Sequence, residues 1–129
     1  MISLIDALAG KSAQKEFKFG DQTTVVLRTL TQGEMNSVMQ RIPRSDLMPM
    51  IELIKVPELA RALVSINNIN LEAFDDFNDE KKKSPNKDKY LIIEEMLEKM
   101  DTFVISSLYN VYSSFKEEIS KQKEELKNA

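Results

Sequence analysis

Between Lys15 and Glu34 the side-chain pattern changes period, and that change restricts the fold more than any other feature of the chain. Phe17 and Phe19 alternate with Glu16 and Lys18, Gly20-Asp21 interrupts, and Thr24-Val25-Val26-Leu27-Arg28-Thr29-Leu30 follows. Aromatic and β-branched residues at period two, broken by a glycine turn, predict a hairpin over 15–30. Thr31-Gln32-Gly33-Glu34 then has the Thr-x-x-Glu spacing of a capping box, in which hydroxyl and carboxylate each accept a backbone N–H at a helix start. A two-stranded hairpin is marginal by itself in water. These strands must therefore lie against helices or pair with another chain.

The rest of the chain reads as helix. Apolar spacing gives a short helix over 2–9 ending at Gly10, although residues 1–10 could instead lengthen the hairpin. The capped helix runs from Thr31 to about Arg41, with Met35, Val38, Met39 and Ile42 on one face, and Pro43 ends it. Ser45 or Asp46 can cap the next helix, and Pro57 divides it from a segment 58–66 with Leu59, Leu63 and Ile66 along one stripe. Asn67-Asn68-Ile69-Asn70 reads as a turn and 71–77 as a short helix or turn. Residues 78–89 contain no apolar side chain and read as a mobile loop. Asp88 can cap a helix bearing Leu91, Ile92, Met96 and Met100, and a last helix spans 102–127 with Val104, Leu108, Val111, Phe115, Ile119 and Leu126 in a stripe. The fold class is α+β: an N-terminal β-hairpin packed on a mostly helical domain with a long C-terminal helix. Residues 1–115 form one domain, and 116–129 a charged helical extension that projects or needs a partner. With 129 residues, the chain is long enough to bury a core without staples.

Composition removes whole classes of chemistry. The chain has no His and no Cys, which excludes disulfides, Cys/His zinc sites, and thiol or Ser-His-Asp catalysis. Three scattered glycines make no phosphate-cradling loop. Ser-x-x-Lys occurs at Ser12/Lys15, Ser84/Lys87, Ser113/Lys116 and Ser120/Lys123, always without the accompanying motifs of acyl-transfer enzymes. The acidic run from Asp75 to Glu80 fails as a calcium loop: counted from Asp76, the sixth residue is Lys81 and the twelfth Lys87, where Gly and Glu are needed. Glu94/Glu95 and Glu117/Glu118 read as surface carboxylates. The expectation is a chain that is not an enzyme, with no catalytic residue, no metal and no cofactor.

Net charge is −3, and the one basic cluster, Lys81-Lys82-Lys83 with Lys87 and Lys89, is flanked by acids. No specific nucleic-acid binding is expected. No apolar run approaches membrane-spanning length, and Met1–Asp6 lacks the pattern of a signal peptide. The expected location is the cytosol of the cell that makes it, with no membrane partner.

What remains is apolar surface. Leu47-Met48-Pro49-Met50-Ile51 opens a run with hardly any polar position, in a chain with seven methionines. Flexible thioethers fill irregular cores and also line adaptable binding surfaces. Tyr109 and Tyr112, three apart on the last helix, are either interface residues or core-edge residues. The candidate partner-binding set is Leu47, Met48, Met50, Ile51, Tyr109, Tyr112, Ile119 and Leu126.

The stretch Val25-Val26-Leu27-Arg28-Thr29-Leu30-Thr31-Gln32-Gly33-Glu34 resembles a step in small assembly proteins of tailed phages. These are the tail assembly chaperones and the proteins that help build a baseplate hub, in which a strand ending in Leu/Ile-Arg-x-Leu-Thr opens a helix starting with Glu. The segment from Leu59 to Leu71 is similar to their helix followed by Ile-Asn-Gly, with Asn68 here where Gly is usual. The closing helix with Tyr109 and Tyr112 is the third likeness, and together they span about residues 15–115. The resemblance implies a phage tail or baseplate assembly factor in the host cytoplasm that binds other tail or baseplate proteins, with a homo-oligomer as a further partner. A structural component kept in the virion is the alternative it also implies.

Overall fold

The computed structural model describes residues 12–42 and 49–127, with side chains through residue 125. The fold is α+β: among the described residues, a four-stranded antiparallel sheet packed on helices, the last of them long. The strands are β1 (Gln14–Phe19), β2 (Thr23–Arg28), β3 (Leu63–Ile66) and β4 (Ile69–Asn70), in spatial order β1-β2-β3-β4. The helices are α1 (Gln32–Arg41), α2 (Met50–Ala62), α3 (Asp75–Lys83), α4 (Lys89–Glu98) and α5 (Thr102–Lys127), with a 3-10 turn at Leu71–Ala73.

The hairpin forms as its alternation dictates. Phe17 lies opposite Val25 and Lys15 opposite Leu27, which sends these positions to the helix side, where Val25 and Leu27 are buried. Gly20 turns the chain at φ +68°, a left-handed conformation that costs an L side chain about 1–2 kcal/mol. The capping box is complete: Thr31 Oγ1 accepts from the Glu34 amide at 3.3 Å, and Glu34 Oε1 accepts from the Thr31 amide at 2.9 Å.

Two further strands correct the reading of 58–66 as helix. Helix α2 runs through Pro57 without a break and ends at Ala62. Its continuity follows from burial on both sides of the proline, with Ile54 and Val56 packed on the core and Leu59 and Ala60 inside it. Leu63-Val64-Ser65-Ile66 then joins the exposed flank of β2, with a bulge between Val26 and Leu27. Asn67 and Asn68 adopt φ 52° and 65°, the paired left-handed residues of a tight two-residue hairpin turn. Asn67 also clamps β2, its amide donating to Thr24 O at 2.7 Å and its Oδ1 accepting from the Thr24 amide at 2.8 Å.

Residues 78–89 are not a continuous loop either, because 78–83 complete α3. Buried Phe77 anchors that helix, Asp75 and Asp76 lie in its first turn, and Lys81, Lys82 and Lys83 in its last. Acids at the N-terminus and cations at the C-terminus complement the helix dipole. Only 84–88 connects it to α4, closed by Lys81 Nζ donating to Lys87 O at 2.8 Å. Asp88 and Asp101 cap α4 and α5, each accepting an amide two residues on at 2.8 Å.

The buried stripe of α5 is Ile105, Leu108, Tyr109, Tyr112, Phe115 and Ile119. It is rotated from the expected one: Val104 is exposed and Val111 only half-buried. The helix stays on the body through Ile119, so the charged extension starts later than residue 116. Lys116 binds Glu58 of α2 at 2.7 Å, and Glu118 binds Lys15 of β1 at 3.2 Å. The expected helix over 2–9 and the caps at Ser45 and Asp46 lie outside the described residues.

Candidate interaction surfaces

The interior holds three charged side chains that sequence reasoning did not place there. Glu58 is 0% exposed and Arg61 4%, on consecutive turns of α2, and Glu94 of α4 is equally enclosed. Glu94 was expected on the surface. It is buried because two arginines meet it: Arg61 Nη1 reaches Oε2 at 3.2 Å, and Arg41 Nη2 reaches Oε1 at 3.2 Å. Arg61 also donates to Pro57 O at 2.9 Å and to Ser37 Oγ at 3.3 Å, and lies 5.1 Å from the centre of the Tyr90 ring. This network joins α1, α2 and α4. The Glu94 hydrogen bonds hold Arg41 firmly protonated, above the ordinary arginine range.

Glu58 does the same between α2 and α5. Tyr109 Oη donates to Oε1 at 2.9 Å and Lys116 Nζ to Oε2 at 2.7 Å. The ammonium also lies 4.9 Å from the centre of the Tyr112 ring. Burial, and then the neighbouring carboxylate, push both tyrosine hydroxyls well above their ordinary range. Both phenols therefore stay protonated at neutral pH. Tyr109, Tyr112 and Ile119 were candidate contact residues; all three are buried. Tyr109 sits inside because Glu58 supplies a polar partner in the core, which a single sequence does not announce; the Tyr112 hydroxyl is enclosed without a hydrogen bond among the described residues.

Two of the surface clefts are lined by described residues. One, of about 240 Å³, is lined by Arg28, Arg61, Glu72, Lys89 and Tyr90 among others. Its cations are already engaged: Arg28 with Glu34, Arg61 with Glu94, and Lys89 with Glu72 at 3.0 Å. The Arg28–Glu34 hydrogen bond raises the guanidinium and holds the Glu34 carboxyl below the usual carboxylate range. The second cleft, of about 410 Å³, runs between β1 and α5 and is lined by Phe17, Asn110, Val111, Ser114, Phe115 and Glu118. Phe17 and Phe115 meet edge to face there, centroids 5.7 Å apart. Among the described residues no group of acidic side chains could hold a metal ion, and no helix is long and apolar enough to cross a membrane.

The apolar surface divides into predicted and unpredicted parts. Met50 and Ile51, two of the candidate contact residues, are 56% and 54% exposed at the first turn of α2. Phe103 is 77% exposed and Val104, Met39 and Ile69 are also open; none was singled out as a contact residue. Phe103 could have been found, since at 3.6 residues per turn it falls opposite the α5 stripe centred on Tyr112. Leu47 and Met48 and the side chain of Leu126 lie outside the described residues.

The sheet adds a backbone surface. β1 is the outermost strand, and among the described residues nothing pairs with its outer side. The Thr29 amide donates to Ala13 O at 2.9 Å, so Ala13 and every second residue after it direct their polar backbone groups to β2. By alternation, Gln14, Glu16 and Lys18 direct theirs outward.

No family model, curated protein or solved structure matches this chain.

Proposed function

We propose that this chain is a non-enzymatic interaction protein, and within that class a tailed-phage tail or baseplate assembly factor acting in the host cytoplasm. The observation that carries the interaction reading is the inversion along α2: Met50 and Ile51 lie outside while Glu58 and Arg61 are enclosed and paired. Two adjacent apolar side chains kept in water fit an intermittent partner. The open edge of β1 and the Phe17–Phe115 cleft beside it give a second contact region, suited to an extended segment of an unassembled tail protein. Covering such segments would keep them from aggregating before they assemble.

The phage assignment rests on the resemblance of Val25–Glu34. In the structure this stretch is tied into the scaffold: Val25 and Leu27 enter the core, Arg28 binds Glu34, Thr29 holds Ala13, and Thr31 caps α1. The motif builds the scaffold, and the contact surfaces lie elsewhere.

The test is reconstitution with the tail and baseplate proteins encoded beside it. A stable complex with one of them, weakened by Met50→Ser with Ile51→Ser, is expected. Absence of any such complex would overturn the assignment. Mass spectrometry of purified particles then separates a helper, which should be missing, from a component retained in the virion.

A further inference from the structure

We infer that β1 pairs edge to edge with β1 of a second copy, about a two-fold axis passing by Phe17. This deepens the reading of β1 as an interaction edge and names its resting occupant. The argument starts from which groups face outward. Gln14, Glu16 and Lys18 present their amides and carbonyls to the open side of the sheet, as the Thr29–Ala13 hydrogen bond fixes the parity. The opposite edge, β4, is only two residues long and offers too short a ladder.

Charge then selects the register. A two-fold axis normal to the sheet pairs each residue with one on the same face. Centring on Glu16 would set Glu16 against Glu16, and centring on Lys15 or Lys18 would set lysine against lysine. Centring on Phe17 sets Glu16 against Lys18 of the copy, and Lys18 against its Glu16. Opposite charges directly across a ladder are favourable and like charges are not. Glu16 and Lys18 are both exposed on the face away from α5, and among the described residues neither has another charged partner to leave. They would occupy the hydrogen-bonded positions of the new ladder.

Phe17 would occupy the non-hydrogen-bonded position, where facing side chains come closest. Two Phe17 rings, each already edge to face with Phe115, would meet across the axis. The apolar cleft along β1 and α5 would be brought against its own copy. Lys15 does not oppose this. Its ammonium is turned to α5, 3.2 Å from Glu118 and over the Phe17 ring. Lysines on an edge strand usually deter pairing; here one is withdrawn and the other has a complementary acid.

Sedimentation velocity on the full chain tests this. The expected species has twice the 14.8 kDa chain mass and dissociates on dilution. Glu16→Lys should weaken dimerisation roughly tenfold, because two attractive pairs become repulsive. Lys18→Glu should do the same, and the double variant Glu16→Lys/Lys18→Glu should restore the dimer. Circular dichroism should be unchanged in all three, since both side chains are exposed. A wild-type monomer at the highest soluble concentration would overturn the inference, as would a dimer indifferent to Glu16→Lys or a charge swap that fails to restore it. A monomer that still binds a tail protein defeats the dimer alone; a dimer that binds none defeats the assembly reading alone.

Discussion

The two ends of α2 differ in a way that hydropathy does not anticipate. Its first turn sets Met50 and Ile51 in water, and its last turns enclose Glu58 and Arg61. The difference lies in what each side chain can reach. Glu58 finds a phenol and an ammonium on α5, and Arg61 a carboxylate on α4. Burying a charge is tolerated when its partner is buried with it and its hydrogen bonds are met. Among the described residues, Met50 and Ile51 gain nothing comparable. The carboxylates of Glu58 and Glu94 are enclosed with their partners, although, among the described residues, Arg61 Nε and Tyr112 Oη are buried without a hydrogen bond.

The comparison breaks first at Glu94. Glu94→Ala leaves Arg61 buried without its carboxylate and should cost about 3–5 kcal/mol, read as a lowered urea midpoint with unchanged slope. Arg41 contacts the same carboxylate from a half-exposed position, and Arg41→Ala should cost under about 1 kcal/mol. Equal losses would mean that the enclosed pair is no different from a surface one.

Gly20→Ala probes the hairpin that carries the open edge. The φ of +68° at that position would strain an alanine by about 1–2 kcal/mol, although open space surrounds it. No loss of thermal stability would contradict the left-handed turn.

Much of the fold was legible because its signals are local. The Thr31–Glu34 box, the Gly20 turn, the Asp88 cap and the 102–127 helix each depend on neighbours in sequence. β3 was missed because Leu59, Leu63 and Ile66 also satisfy a helical stripe, and only the open flank of β2 decides for a strand. The two asparagines at 67 and 68 were the available clue, since paired left-handed residues suit a hairpin turn. The later part of α3, 78–83, was read as loop because one buried residue, Phe77, anchors a stretch otherwise fully polar. Glu94 was misplaced, and Tyr109 left open between interface and core edge, for a common reason: their partners come from helices distant in sequence, 51 residues for Tyr109–Glu58 and 33 for Arg61–Glu94.

Acid should sharpen the comparison at a partly buried pair. The Arg28 hydrogen bond depresses the Glu34 pKa in the folded state below its ordinary 4.5. Its stabilisation is therefore full above the unfolded value and is lost as pH falls through 4.5 toward the lower folded value. Glu34→Gln should lower stability near neutrality by about 1 kcal/mol and flatten the acid limb of a stability–pH curve. An unchanged acid limb would remove Glu34 from that account.

The smallest effect on the fold should accompany the largest on binding. Met50→Ser with Ile51→Ser removes only exposed side chains and should shift stability by no more than about 0.5 kcal/mol. The decisive measurement is titration of this double variant and the wild-type chain against the tail or baseplate protein that forms the complex. The account predicts at least about tenfold weaker binding, the equivalent of about 1.4 kcal/mol, at an unchanged unfolding midpoint. Equal affinity for the two chains would contradict it, because the apolar residues outside would then have no partner to explain them.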